Sequence, residues 1–349
     1  MNNQPALHYF PALDGVRGWM AIGVLLAHVN LPWFPGAMVL MELFFVISGF
    51  LITSIIWRGI EKHGYLDLKE FWKRRLARLY PVLILVVVVC SVVAFFVVDD
   101  MRPVLSDGLA TLLYYSNWTK LYNYIYPSIY GQTWSLAVEE QFYLLWSLIF
   151  LAATKFRLNA LRIAGCLVLL ALFCMAWKYY LIAQGAPWSR LYYALDTRMD
   201  AFVAGGLLAL AYPRLRLWFQ HSLLHVLLHV AACLYLLLLV LGTPKKMAYF
   251  YWQQSAAVIL SAFVVLLLAS PRQSIFQWLF RLQPSVLLGQ RCYSIYLWHW
   301  PVIWLLLATF KLDKIELLCV VLPSVLLLSW MSYAWVEQPF MSRRRGMPG

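Results

Sequence analysis

Apolar runs of about twenty residues, the length that crosses a bilayer as a helix, recur along this chain between short polar breaks. The pattern predicts ten spans, at residues 18–33, 37–57, 82–98, 133–153, 161–182, 196–212, 222–241, 250–269, 287–309 and 315–335. A backbone in hydrocarbon must satisfy its own polar groups, and unbroken runs of this length do so as helices; a β-barrel would show short strands of alternating polarity. The expected fold class is therefore all-α, a polytopic transmembrane bundle. One stretch departs from the pattern: residues 104–122, containing LSDGLATLLYYSNWTKLY, are short on apolar length and read as a re-entrant or surface helix.

Composition agrees with this reading. Of 349 residues, 63% are hydrophobic and only 12% charged, with a mean hydropathy of +0.72. The net charge of +13 would suit nucleic acid on a soluble protein, but here the basic residues interrupt spans, so they report topology and no nucleic-acid partner is expected. In the ten-span arrangement nineteen of the 28 Lys and Arg residues share one side, seven of them between Arg58 and Arg78, which places both termini in the cytoplasm. MNNQPALHYFPALDG lacks the basic start and small-residue cleavage site of a signal peptide, so the first run is expected to stay as a span. No repeat or soluble appended domain is visible, and residues 1–349 are expected to form a single domain. Six scattered cysteines, without paired short spacing, predict neither a disulfide framework nor a zinc site.

Polar residues inside such spans carry the functional signal. His28 and Glu42 lie about seven residues on either side of the turn near Pro32 to Gly36, which on antiparallel helices gives both a depth of roughly 10 Å. An intramembrane carboxylate needs a partner, and His28 is the nearest titratable candidate: the pair would fix the imidazole tautomer and leave one ring nitrogen as a base, or would simply hold two helices together. In GQTWSLAVEEQFYLLW, Glu139 and Glu140 point about 100° apart, so one of them is expected to face a given cavity. Trp134, Phe142, Tyr143 and Trp146 around them suit either an interfacial belt or stacking on a sugar ring. His299, between Trp298 and Trp300, is either a hydrogen-bonded packing residue or part of a site.

EFWKRRLARLYP concentrates Lys73, Arg74, Arg75 and Arg78 before Pro81. Guanidinium forks bind phosphate, so a nucleotide-containing donor such as coenzyme A fits here; the alternative is a positive-inside anchor touching anionic lipid. His221, His225 and His229 share one helical face, but the outer two are about 12 Å apart, too far to share an ion, and no metal is expected. The sequence contains no GxSxG elbow, Gly-rich phosphate loop, HExxH or dinucleotide fingerprint.

Taken in order, LDGVRGWMAIGVLLAH, ELFFVISGFLIT, FWKRRLARLYP, QTWSLAVEEQFYLLW, LGQRCYSIYLWHWPV and WVEQPF resemble the acyltransferase 3 family of membrane enzymes over about residues 10–340. The resemblance implies transfer of an acyl group, usually acetyl, from acyl-CoA to a carbohydrate hydroxyl. It places the family's Arg-to-His motif on Arg17 and His28, its basic cluster on Arg74, Arg75 and Arg78, and its Trp-Ser-Leu motif with a glutamate on Trp134, Ser135, Leu136 and Glu139. Many members carry Asp where this chain has Glu42. The expected catalytic set is thus His28, Glu42 and Arg17; the donor set Arg74, Arg75, Arg78 and Lys73; the acceptor set Trp134, Ser135, Glu139, Tyr143 and His299. Arg17, His299, Trp134 or a backbone amide would supply an oxyanion donor. The expected donor is acetyl-CoA, used without a metal, and the expected acceptor is lipid-linked O-antigen or another surface polysaccharide at the outer side of a bacterial inner membrane. The family's longer members carry a fused extracellular esterase-like domain; here transfer is expected within the bundle or with a partner. A proton-coupled transporter or glycan flippase using His28 and Glu42, and a glycan-binding scaffold, are the competing readings, although the two halves of the chain show no related repeat.

Overall fold

The computed structural model describes residues 9–122, 128–243 and 246–342, which form sixteen α-helices and no strand. The first hairpin is α1 (Pro11–His28) and α2 (Val39–His63), followed by α3 (Leu68–Phe95). Two short helices, α4 (Arg102–Leu112) and α5 (Ser116–Tyr122), occupy the stretch that the sequence excluded as a span. Next come α6 (Trp134–Lys155), α7 (Ala160–Ala183), the one-turn α8 (Trp188–Tyr193), α9 (Met199–Leu215), α10 (Ser222–Leu241) and α11 (Gln254–Ala269). The chain closes with α12 (Ile275–Arg281), α13 (Gln283–Gln290), α14 (Cys292–Thr309), α15 (Lys314–Ser332) and α16 (Gln338–Ser342). A π-helical turn precedes α11 at Tyr249–Gln253, and another follows α15 at Tyr333–Glu337.

Each predicted span coincides with a helix, and among the described residues seven helical segments are long and apolar enough to cross a membrane: those of α2, α3, α6, α7, α10, α11 and α15. The other three, α1, α9 and α14, have 18, 17 and 18 residues. Each of them carries polar residues: Asp14, Arg17 and His28 on α1, Asp200 and Arg214 on α9, His299 among tyrosines and tryptophans on α14. The first span also differs in extent, ending at His28 rather than residue 33, because Asn30 turns the chain with φ 63° and Pro32 and Pro35 follow. The ninth starts at Cys292, after α13 has broken off.

Close backbone contact ties these polar helices into the bundle. A side-chain carbon added to Gly205 of α9 would strike the Val46 carbonyl of α2, and one added to Gly49 of α2 would strike the Phe202 carbonyl. Glycine at both positions lets the two helices touch, the usual device where no hydrophobic effect drives helices together in lipid. Two apolar cores flank α1: Leu13, Val16, Met20 and Val24 join the core of α2, α6, α9 and α11, while Ala21, Ile22 and Leu25 join that of α3, α14 and α15.

Gly205→Val is expected to force α2 and α9 apart at a cost of about 1–3 kcal/mol. Gly165→Ala on α7, where an added carbon meets nothing within 4 Å, is expected to leave stability unchanged or slightly raised. Unfolding of the two variants in the same detergent checks both outcomes.

Candidate active site

A cavity of about 680 Å³ runs between the two cores, lined by α1, α2, α3, α6 and α14. On α2 its lining extends from Leu40 to His63, about 35 Å of helix. Exposed His63, Tyr65, Asp67 and Arg74 mark the mouth. On α1 the lining climbs one face through Arg17, Met20, Ala21 and Val24, and on α14 through Cys292, Tyr293 and Tyr296.

The basic cluster divides by partner. Arg75 is half-buried and reaches both oxygens of Glu140 through Nε at 2.9 Å, with Nη2 at 2.7 Å from Oε1, and its guanidinium lies 3.5 Å over the Tyr143 ring. Arg74 is bonded to Glu70 at 2.6 Å on the exposed side. Arg78 lines the cavity and is in no ion pair among the described residues, whereas Lys73 lies outside the lining. Deeper in, Arg17 faces the cavity, 3.8 Å from Asp14 and 5.5 Å from the Phe44 ring centroid.

Both adjacent glutamates line the same cavity, contrary to the expectation from their angular separation. The cavity wraps around α6, so Glu140 meets α3 through Arg75 while Glu139 meets α2, accepting from Ser48 at 2.5 Å and from the Tyr143 hydroxyl. Ser135 is also at the wall, 2.6 Å from the Tyr296 hydroxyl, which donates to the Gln132 carbonyl at 2.8 Å. Trp134 is not at the wall: it is buried against Tyr192, Tyr193 and Phe45, so its ring has no free face for a sugar.

The expected His28–Glu42 pair does not form. Glu42, in the first turn of α2, pairs with Arg198 at 2.8 Å and accepts from the Tyr249 hydroxyl at 2.6 Å, all three fully or nearly fully buried. A guanidinium delivered by the residue preceding α9 neutralises the carboxylate better than an imidazole, and the π-helical turn brings in the tyrosine. The sequence signal for Arg198 is an arginine at the edge of one span and a lone glutamate inside another. Next to this pair, Lys178 of α7 is bonded to Asp200 of α9 at 2.7 Å, also buried.

His28 is exposed at the end of α1, one turn past the cavity-lining Val24. Its Nδ1 lies 2.9 Å from the Val24 carbonyl, and since a carbonyl only accepts, Nδ1 carries the proton and Nε2 the lone pair of the neutral ring. Its ring neighbours are His299, with centroids 5.1 Å apart, and Trp300, at 5.0 Å. His299 is fully buried and donates from Nδ1 to the Tyr296 carbonyl at 2.6 Å. The histidines of the 221–229 stretch pack elsewhere: His221 on Trp218, and His229 on His225, whose carbonyl it bonds.

An apolar helical bundle with an internal cavity, an arginine-bearing mouth and an imidazole pair just beyond the cavity lining describes a multi-pass membrane protein. The chain belongs to the acyltransferase 3 family, whose acyltransferase domain matches residues 10–334. It is similar to a peptidoglycan O-acetyltransferase, OatA, of Listeria monocytogenes, with 31% identity over 95% of this chain and 56% of the relative. It is likewise 31% identical to the O-acetyltransferase OatA of Staphylococcus aureus, over 97% of this chain and 58% of that protein. The chain thus spans somewhat over half the length of these relatives. No solved structure gives a significant match.

Because Arg198 and Glu42 neutralise each other without solvent, Arg198→Met is expected to cost about 3–5 kcal/mol by stranding the carboxylate. Arg198→Met combined with Glu42→Gln is expected to recover most of that loss, while His28→Ala leaves the unfolding midpoint where it was. Denaturation of the three variants in detergent measures all of this.

Proposed function

We propose that this protein is a membrane O-acyltransferase that moves an acyl group, acetyl in the first instance, from cytoplasmic acyl-CoA to a hydroxyl of a surface polysaccharide. The observation that carries the reading is the cavity: its arginine-bearing mouth and its far end beside His28 and His299 are joined along one continuous lining. In this reading all ten long helices cross the bacterial cytoplasmic membrane, both termini lie inside, and the mouth faces the cytoplasm. The donor's phosphates dock on Arg78 and Arg74, with Glu70 giving way, while Arg75 stays committed to Glu140 as a strut between α3 and α6. The thioester arm extends past Arg17 toward Val24, the acceptor arrives at the exposed face of His28, and Nε2 of His28 takes the hydroxyl proton. A positioned general base of this kind is worth about 10²–10⁴-fold.

Direct transfer fits better than an acyl-enzyme. Ser135 has a tyrosine, not a base, as its hydroxyl's neighbour, and Cys292 sits two helical turns, roughly 10 Å, below His299. The printed names of the relatives make a cell-wall glycan the first acceptor to try, with O-antigen beside it.

The test is purified protein in vesicles with labelled acetyl-CoA and a panel of peptidoglycan fragments and O-antigen. Wild type is expected to label a glycan and His28→Ala to lose at least about 10²-fold. Arg78→Ala is expected to raise the KM for acetyl-CoA with little change in kcat, and Cys292→Ser to transfer at the wild-type rate. A wild type that labels no glycan, or a His28→Ala variant as fast as wild type, overturns the reading.

A further inference from the structure

Buried His299 is, among the described residues, one of the side chains whose hydrogen bonding is left half finished. Its Nδ1 proton is spent on the Tyr296 carbonyl at 2.6 Å, so in the neutral ring Nε2 carries a lone pair and not a proton. That Nε2 is buried and has no hydrogen-bond partner among the described residues. Leaving a buried acceptor without a partner is costly, and a site that tolerates this commonly uses the group. The same polarity rules His299 out as the oxyanion donor that its place in the sequence suggested, because the neutral ring has no second N–H to give.

Its position is equally specific. Tyr296, one turn before it on α14, lines the cavity, and His28, whose ring lies 5.1 Å away centroid to centroid, is exposed on the other side. Val24, one turn before His28 on α1, lines the same cavity, so both rings stand one turn beyond its wall, the buried one beside the exposed one. We propose that His28 and His299 form a two-imidazole relay, in which His299 receives the proton that His28 takes from the acceptor hydroxyl and delivers it to the departing thiolate on the cavity side. The balance closes within the two substrates: the acceptor O–H breaks and its oxygen forms the ester C–O bond. The thioester C–S bond breaks, and the proton travels from oxygen to His28 Nε2, to His299 Nε2, to sulfur. Oxygen and sulfur share one carbon at the moment of transfer, so the thioester and the hydroxyl meet where the two rings adjoin, and the relay ensures that the thiolate departs protonated. It rests on the proposed O-acyl transfer with His28 as base.

The experiment uses the full chain in vesicles, with labelled acetyl-CoA and whichever glycan of the panel wild type acetylates most. His299→Asn keeps an N–H that can reach the Tyr296 carbonyl but has nothing basic at the outer position. It is expected to lower kcat by about 10²-fold, with KM for both substrates within about twofold of wild type and an unchanged unfolding midpoint. His299→Ala is expected to regain activity with added imidazole. A His299→Asn variant with wild-type kcat overturns the relay while a dead His28→Ala leaves the parent reading standing. A slow His299→Asn variant whose midpoint falls, together with no imidazole rescue of His299→Ala, also overturns it, since packing then accounts for the loss. Wild-type activity in His28→Ala overturns both.

Discussion

Charge that enters an apolar bundle must be neutralised there, and that requirement organises this molecule. Arg198 and Glu42 meet with no exposed surface on either side chain, Lys178 and Asp200 pair almost fully buried in the first turn of α9, and Arg75 holds Glu140 at the cavity wall. Each pair joins helices distant in sequence: α2 to the start of α9, α7 to α9, and α3 to α6. Such pairs contribute little net stability compared with well-packed apolar residues, but losing one partner is expensive, so they fix which helices are neighbours. The glycine contacts between α2 and α9 then let backbones approach closely enough for the Arg198–Glu42 pair to form.

With those charges consumed, the residues left facing the cavity acquire meaning. Arg17 and Arg78 both line it, and Glu139 is held by two hydroxyls instead of a cation. An undivided basic cluster would read as a single phosphate cradle. The structure separates a strut, Arg75, paired with Glu140, from Arg74 and Arg78, which stay exposed at the cavity. The same division applies to the aromatics: Trp134 is spent on packing against Tyr192 and Tyr193, while Tyr143 and Tyr296 reach the wall.

The two imidazoles occupy the boundary between cavity and exterior. Backbone carbonyls of Val24 and Tyr296 take the Nδ1 proton of each ring, so the helices themselves set the tautomers. Both carbonyl-bearing residues also line the cavity, which couples the orientation of the histidines to the packing of α1 and α14 around it.

Helix existence was legible in the sequence because hydrocarbon imposes one length and one backbone solution on every apolar run, and the same physics marked residues 104–122 as an exception. Family membership was legible too, since six motifs in order, from LDGVRGWMAIGVLLAH to WVEQPF, constrain far more than any one of them. Partner choice was not. Equal spacing about a turn made His28 and Glu42 look like neighbours, but spacing gives depth along a helix and says nothing of which helix stands opposite. Only the packed bundle decides that Arg198 reaches Glu42, that His299 reaches His28, and that both glutamates of α6 share one cavity. The physical reason is that hydrophobic periodicity is a local property of a chain, whereas charge pairing and cavity shape depend on which helices pack together and how they are rotated.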